Sequence, residues 1–472
     1  MVDNVVEQTN LFSVQNTGNS TNLVAKEFDQ LLGMFFHMGL VRMDSIRQYW
    51  ETDSRYDPVA SVMSRNRFQK LLMNLHFVDN LSIKNDEKAD KLWKLRPWIS
   101  GIRTNCLKIN PGQCCAVDEM MYQYHGTSSP IRQYIKSKPH PYGFKIWGIA
   151  GTDGLLHDFD VYQGGDGTRS ELGQGSDVVL KLTSTFPHKC WYKVYADNLF
   201  TCAPLLVKLK ERGMLYTGTV RQNRMAGCEL KAEQELKRDG RGSYDTKTEI
   251  THNISAVRWY DNRVVTLMST ASGVDPIGKA KRWNKAAKEY KEVTVPAVIV
   301  DYNQNMGGID RMDSYLAKYR CKLRSRRWYM YLFWHFVMVA AVNAWLLYRR
   351  EYSELGLPKK NQLSRRRFQA ILATSLIKVQ TCNIRKRGRP SAGPGASSVP
   401  STSPAPTARK TRSAKPAADV QYDGVEHWPG RTKVRGRCTH CKINNTTVVC
   451  KKCNVCLCFV SGRNCFKDFH MK

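Results

Sequence analysis

Apolar residues recur at three- and four-residue spacing from about residue 20 to 110. Segments such as VAKEFDQLLGMFFHMGLV and RNRFQKLLMNLHFV therefore predict helices, with breaks at Asp53-Ser54, Asp79-Asn80 and Asn85-Asp86. From 111 to 220 the pattern changes. CCAVDEMM, YGFKIWGIAG, LLHDFDVYQG and KCWYKVYAD read as short strands, with Asp153-Gly154 as the hairpin turn between the second and third. CAPLLVKLKERG then reads as a helix stopped by Gly213, and MLYTGTV as another strand. Between Arg221 and about Val295, strand character around Asp261-Asn262 predicts a largely β insertion. Residues 311–384 read as helical and very basic. Residues 385–430 are rich in Pro, Ser, Ala, Lys and Arg, bury too little to fold, and are expected to form a flexible linker.

The stretch Tyr329–Tyr348 is long enough to span a membrane. It holds His335 and Asn343 and is flanked by arginine pairs, so a buried helix of a large domain is the preferred reading and no membrane partner is expected. The formal charge of +32 favours a polyanion and a strongly salt-dependent interaction. MVDNVVEQTNLF has neither a basic nor an apolar signal-peptide region.

Four acids change the picture. Asp118 lies in a strand-like run, Asp197 where another ends, and Asp310 and Asp313 at the start of a helical stretch in MGGIDRMD. Acids on the first and fourth strands and on a later helix are what an RNase H-like core presents. Converged carboxylates suit Mg²⁺ or Mn²⁺, and two such ions can clamp the attacking and leaving oxygens of a phosphodiester. The basic surroundings make DNA the expected anion. Strand alternation sends Asp118 and Glu119 to opposite faces, so one of them should reach a shared metal. Asn198 is a candidate to orient Asp197. Taken singly, each acid is equally readable as a turn residue, a helix cap or a partner of a helix dipole.

Seven of the fifteen cysteines fall between Cys438 and Cys465, which fits an intracellular metal site better than a disulfide framework. Cys438, Cys441, Cys450, Cys453, Cys456, Cys458, Cys465 and His470 supply eight ligands, enough for two tetrahedral Zn²⁺ ions, with His440 as a ninth candidate. An interleaved, cross-brace pairing is one option. The basic run Lys318, Arg320, Lys322, Arg324, Arg326 and Arg327 is read either as a phosphate-contacting helix face or as a solvated one. Arg387 and Arg389, in RKRGRP, suit minor-groove insertion or a nuclear localisation signal.

VDEMMYQYHG, IKSKPHPYGFKIWGIAG, YADNLFT, YNQNMGGIDRMD and the RRWYMYLF and NAWLLYRR blocks together resemble the piggyBac transposases and the host proteins derived from them. The resemblance runs from Thr9 onward in the family's order. It implies an RNase H-like catalytic core interrupted by a β-rich insertion, a split helical dimerisation and DNA-binding domain, and a terminal zinc module. Applied here, the helical domain covers 1–112 and 320–384, the core 113–222 and 297–319, the insertion 223–296, the linker 385–430 and the zinc module 431–472. The family's three metal-binding aspartates fall on Asp118, Asp197 and Asp310, and its further essential acid on Asp313. The implied activity is excision of DNA between inverted repeats and insertion at TTAA, by a nuclear homodimer with no small-molecule substrate. The alternative is a domesticated, catalytically silent chromatin protein. The chain begins near the start of the helical domain, without the family's longer leading region, and Cys456 stands where relatives often have another residue.

Overall fold

The computed structural model describes all residues except 137, 139, 166–169, 286–287, 322, 380–415, 417, 423–426, 461 and 472. The chain divides into two compact units, Met1–Arg385 and Lys386–Lys472.

The first unit joins two distant parts of the sequence in one helical layer. Helix Ala25–Leu40 packs along helix Arg365–Lys378. Gly33 permits this, because a Cβ there would stand 2.7 Å from the carbonyl oxygen of Ala373. Gln369 Nε2 ties the pair by donating to the Phe36 carbonyl at 2.9 Å. Helix Tyr329–Glu354 runs through the core, where Leu332, Phe333, Phe336, Val339 and Val342 are fully buried. Phe333 packs with Phe28, Phe77 and Trp98 at ring separations of 4.9–6.4 Å. Each such side chain contributes roughly 1.5–3 kcal/mol by leaving water. This helix is long and apolar enough to cross a membrane, but the protein's own core covers it. Its polar Asn343 is satisfied, exchanging hydrogen bonds of 2.8 and 3.0 Å with the backbone of Leu156.

The sheet begins with β1 (Cys114–Gln123), β2 (Gln133–Tyr134), β3 (Tyr142–Gly151) and β4 (Leu156–Val161). β1 pairs with β3, and β3 with β2 and β4, all antiparallel. β5 (Lys193–Ala196) joins β1 in parallel, and β6 (Leu215–Thr219) joins β5 in parallel. β7 (Tyr244–Glu249), β8 (Ile254–Tyr260) and β9 (Val264–Ser269) extend the sheet antiparallel through β6–β9. β10 (Gly278–Asn284) and β11 (Glu289–Val295) form a separate hairpin. The Asp153-Gly154 turn is present between β3 and β4, with Gly154 at φ 95°. Helix Ala203–Glu211 ends as expected before Gly213, at φ 75°.

Three elements differ from the sequence reading. Helix Val2–Thr17 precedes the expected helical start; its polar surface weakens the apolar period, yet Asn10 anchors it by two bonds to Leu23. Helix Gln174–Leu182 lies between β4 and β5, where no helix was predicted, because glycines flank a short SDVVLKL run. The run Lys318–Arg327 is not a helix: Lys318 ends helix Gly308–Lys318, and the described residues up to Trp328 are irregular.

In the second unit, β12 (Pro429–Arg437) and β13 (Asn445–Cys450) pair antiparallel, and helix Cys465–His470 closes the chain.

Candidate active site and metal centres

Asp118 sits in the middle of β1, opposite Gly148 of β3. Asp197 follows β5, the parallel neighbour of β1, and its Oδ1 accepts from the Leu199 N–H at 2.7 Å. Asp310 occupies the first turn of helix Gly308–Lys318, with Asp313 one turn further. The helix start lies directly on the sheet because Gly308 has no side chain; a Cβ there would stand 2.7 Å from the Gly151 carbonyl oxygen.

These elements bring the acids into one electrostatic neighbourhood. Burial pushes Asp118 up to about 7, with Glu119 and Asp197 adding repulsion. Asp313 is also pushed up to about 7, by burial and then by Asp310. Asp197 is raised, chiefly by burial, with Glu119 acting in the same direction. Tyr302, raised to about 12 mainly by burial, also feels the charges of Asp197, Asp118 and Asp310.

Glu119 adjoins Asp118 on β1, and its charge acts on both Asp118 and Asp197. Its Oε1 lies 3.4 Å from Lys138 Nζ, while Oε2 is buried without a partner. Asn198 does not turn to Asp197; its Oδ1 accepts from Arg221 Nε at 3.2 Å.

The donor set fits a hard divalent cation. It consists of several desolvated carboxylates whose mutual repulsion is only partly offset, with one buried oxygen left over. Asp118, Asp197 and Asp310 could hold such ions, with Asp313 beside them. Among the described residues, three or more ligand atoms lie mutually within 4.8 Å only in two Cys/His groups, so the carboxylates do not form so tight a set of three. A cavity of about 1120 Å³ lies along β4, away from these acids. Of its charges, Arg96 pairs with Asp90 and Lys181 with Asp160.

The basic run is divided in its use. Arg327 donates to the carbonyls of Leu75, at 2.7 Å, and Leu72, closing the end of helix Arg65–Asn74. Arg320 lies over the Tyr122 ring at 5.0 Å and acts on Asp313. Lys318, Arg324 and Arg326 are exposed. Lys322, Arg387 and Arg389 lie outside the described residues.

The second unit holds the two close ligand groups, His427, Cys450, Cys453 and His470, and Cys438, Cys441, Cys458 and Cys465. Their members alternate along the chain, giving a cross-brace. Seven of the eight predicted ligands are gathered. Cys456 is not, because its thiol packs against Gly436 of β12 and its carbonyl accepts from Thr439. His427 takes the remaining position, with Nδ1 3.4 Å from the sulfurs of both Cys450 and Cys453. His440 is in neither group and instead meets the Phe469 ring edge-on. His470 Nδ1 contacts the Phe466 carbonyl at 2.7 Å, which leaves Nε2 facing Cys453. The backbone N–H groups of Asn444 and Ile443 pull Cys441 down to about 6, favouring the thiolate that a soft metal needs.

Comparison with known proteins agrees with this architecture. Residues 1–345 match the family model described as Transposase IS4. Human PiggyBac transposable element-derived protein 3 is 32% identical over 464 residues, covering 97% of this chain and 72% of that protein. Human PiggyBac transposable element-derived protein 2 is 33% identical over 352 residues, covering 73% of this chain and 59% of that protein. A piggyBac transposase solved by cryo-EM as a synaptic complex with hairpin DNA shares the fold, with a TM-score of 0.66, 20% identity, and coverage of 97% of this chain and 94% of that one. With its family model, its relatives and its fold in agreement, the chain belongs to the piggyBac transposase family.

Proposed function

We propose that the chain cuts and joins DNA strands at TTAA targets by metal-assisted phosphoryl transfer, with Asp118, Asp197 and Asp310 as the ligands of Mg²⁺ or Mn²⁺. The observation that carries this reading is the packing of the elements that bear the three aspartates: Val117 of β1 pairs with Ala196 of β5, next to Asp118 and Asp197, and Gly308, two residues before Asp310, lies against Ala116 and the Gly151 carbonyl. The strand order β4-β3-β1-β5-β6, antiparallel through β1 and parallel beyond it, supports an RNase H-like core.

Bound there, divalent ions supply an activated water or 3′-hydroxyl and offset charge developing on the phosphate. The chain's own residues set the geometry. β1 carries Asp118, and its parallel neighbour β5 ends at Ala196, directly before Asp197. The Gly308 contact fixes the height of Asp310 above the sheet. The charge of Arg320, whose guanidinium lies over the Tyr122 ring, acts on Asp313 and would also favour a nearby phosphate. Lys318, Arg324 and Arg326 supply further phosphate contacts. No covalent protein nucleophile is required.

The two Cys/His groups would each hold a Zn²⁺, and the module would read the terminal repeat. Double-stranded DNA, a second copy of the chain and a nuclear location complete the proposal; the DNA-bound state of the structural relative supports the first. The full set of acids favours an enzyme over a silenced chromatin protein. A strand-nicking and joining assay on repeat-TTAA duplexes with Mg²⁺ tests this. Cleavage by wild type and its loss in Asp118→Asn, Asp197→Asn and Asp310→Asn are expected; Mg²⁺-independent cleavage would refute it.

A further inference from the structure

The β10–β11 hairpin breaks its own alternation at one cross-strand pair. Val293 and Val295 turn inward and are buried with Val257, Trp259 and Leu267, and Ala280 packs against them. The residues between them face outward, as a period of two requires. Lys279, Lys281, Glu292 and Thr294 on that outer face are exposed and polar. Trp283 and Tyr290 share the same face, directly opposite one another, and are 51% and 71% exposed. Their rings meet edge to face at 5.1 Å, so neither covers the other. A cross-strand aromatic pair can steady a hairpin, but this hairpin is held without it. Arg282 Nε lies 2.9 Å from Asp261 Oδ2, and Arg241 bonds to the same carboxylate and to the Trp283 carbonyl. Trp259 Nε1 donates to the Thr294 carbonyl at 2.8 Å. The surroundings are cationic. Gly278–Val295 carries six Lys and Arg against Glu289 and Glu292. Lys279 pairs with Glu292 at 3.2 Å. Lys281, Lys285 and Lys288 are exposed and form no ion pair among the described residues.

We infer that Trp283 and Tyr290 form a stacking platform for an unpaired base of the DNA, with Lys281, Lys285 and Lys288 taking the flanking phosphates. Exposed aromatic rings among free lysines have the composition that binds single-stranded nucleic acid: the rings stack on bases and the cations track the backbone. A base inside a duplex already has both faces covered by its neighbours. The platform therefore gains only from a base that has left the stack, such as one freed at a cut or a distorted joint. Fixing the hairpin backbone through Asp261 keeps the rings in place, so little order has to be gained on binding. The inference rests on the reading of DNA as the partner and is independent of the metal assignment.

The test uses the full-length protein with its zinc retained and no added Mg²⁺, so that no strand is cut. It is titrated with a fully paired duplex and with the same duplex carrying a bulge whose unpaired base is the fluorescent analogue 2-aminopurine. Wild type should bind the bulged duplex more tightly and quench its fluorescence. Trp283→Ala and Tyr290→Ala should each weaken that binding about tenfold and lose most of the quenching at saturation. Their affinity for the paired duplex should stay within about twofold of wild type, because its phosphate contacts are intact. Trp283→Phe should keep most of the preference. Lys281→Ala with Lys285→Ala should weaken binding to both probes and flatten the salt dependence by up to about two phosphate contacts. Tyr290, the more exposed of the pair, carries the test if Trp283→Ala folds poorly. An aromatic pair that only steadied the hairpin would lower the melting temperature without separating the two probes. An unchanged preference for the bulge in the alanine variants, or an equal loss on both probes, overturns the inference. So does dissociation of a self-associated wild type by Trp283→Ala with the preference intact, which would assign the face to a second copy of the chain. If wild type binds neither probe, the reading of DNA as partner falls as well; if it binds the paired duplex and only the bulge prediction fails, that reading stands.

Discussion

Replacing Asp118 with asparagine should stabilise the protein when Mg²⁺ and Mn²⁺ are absent. Burial, with repulsion from Glu119 and Asp197, raises this carboxyl from 3.8 to about 7. A group with a raised folded pKa binds more protons in the folded chain than in the unfolded one. Its contribution is therefore fully present below about pH 4 and is lost as the pH climbs through about 7. Each pKa unit corresponds to about 1.4 kcal/mol, so the ionised carboxylate costs on the order of 4 kcal/mol at pH 8. Relaxation and water entry make about 2–4 kcal/mol the range expected for Asp118→Asn. Thermal melts followed by tryptophan fluorescence would read this as a rise of several degrees at pH 7.5, shrinking towards pH 4.5. Divalent ions should be removed by dialysis rather than chelation, so that zinc stays in the second unit. Adding Mn²⁺ should stabilise wild type and leave the variant nearly unmoved, narrowing or reversing the difference. If Asp118→Asn melts at or below the wild-type temperature at pH 7.5 without metal, the account of a repulsive, metal-seeking cluster is wrong.

Elemental analysis should find two Zn²⁺ per chain, about one in His427→Ala, and still two in Cys456→Ser; loss of zinc from Cys456→Ser would refute the ligand groups assigned here. Arg324→Ala with Arg326→Ala should weaken binding to repeat and scrambled DNA alike and flatten the salt dependence by up to about two phosphate contacts, whereas Arg327→Ala should chiefly lower the melting temperature by freeing the Leu72 and Leu75 carbonyls. Arg365 is buried with all three guanidinium nitrogens unpartnered and is pulled down to about 10 by that burial. Arg365→Leu should accordingly raise stability by roughly 1–4 kcal/mol, and a lower melting temperature would contradict this.

The sequence made the sheet legible wherever short β-branched or aromatic runs ended at Gly, Asp or Asn, as at β3, the Asp153-Gly154 turn and β6. It also singled out the four acids, though only their order along the chain and the family resemblance, and not the residue types alone, suggested a shared role. Tertiary contacts were the harder part. Nothing local says that Gly33 must be small, since the reason is a carbonyl 340 positions away. Strand alternation separates Asp118 from Glu119, but nothing local says that Glu119 has Lys138 as its partner. The Lys318–Arg327 run looked helical by composition, but Arg327 is drawn into another helix's end and the chain bends to deliver it. His427 was masked by its linker-like neighbours; the HWPG sequence at the entry to β12 was the available signal.

The most direct test of the central claim is a side-by-side measurement of cleavage and binding on a repeat-TTAA duplex, comparing wild type with Asp197→Asn in Mg²⁺. Wild type should nick the strand at the repeat end and join it to a TTAA target, while Asp197→Asn binds the same DNA within a few-fold and cuts none of it. Cleavage by Asp197→Asn at the wild-type rate would contradict the claim that these aspartates hold the metal.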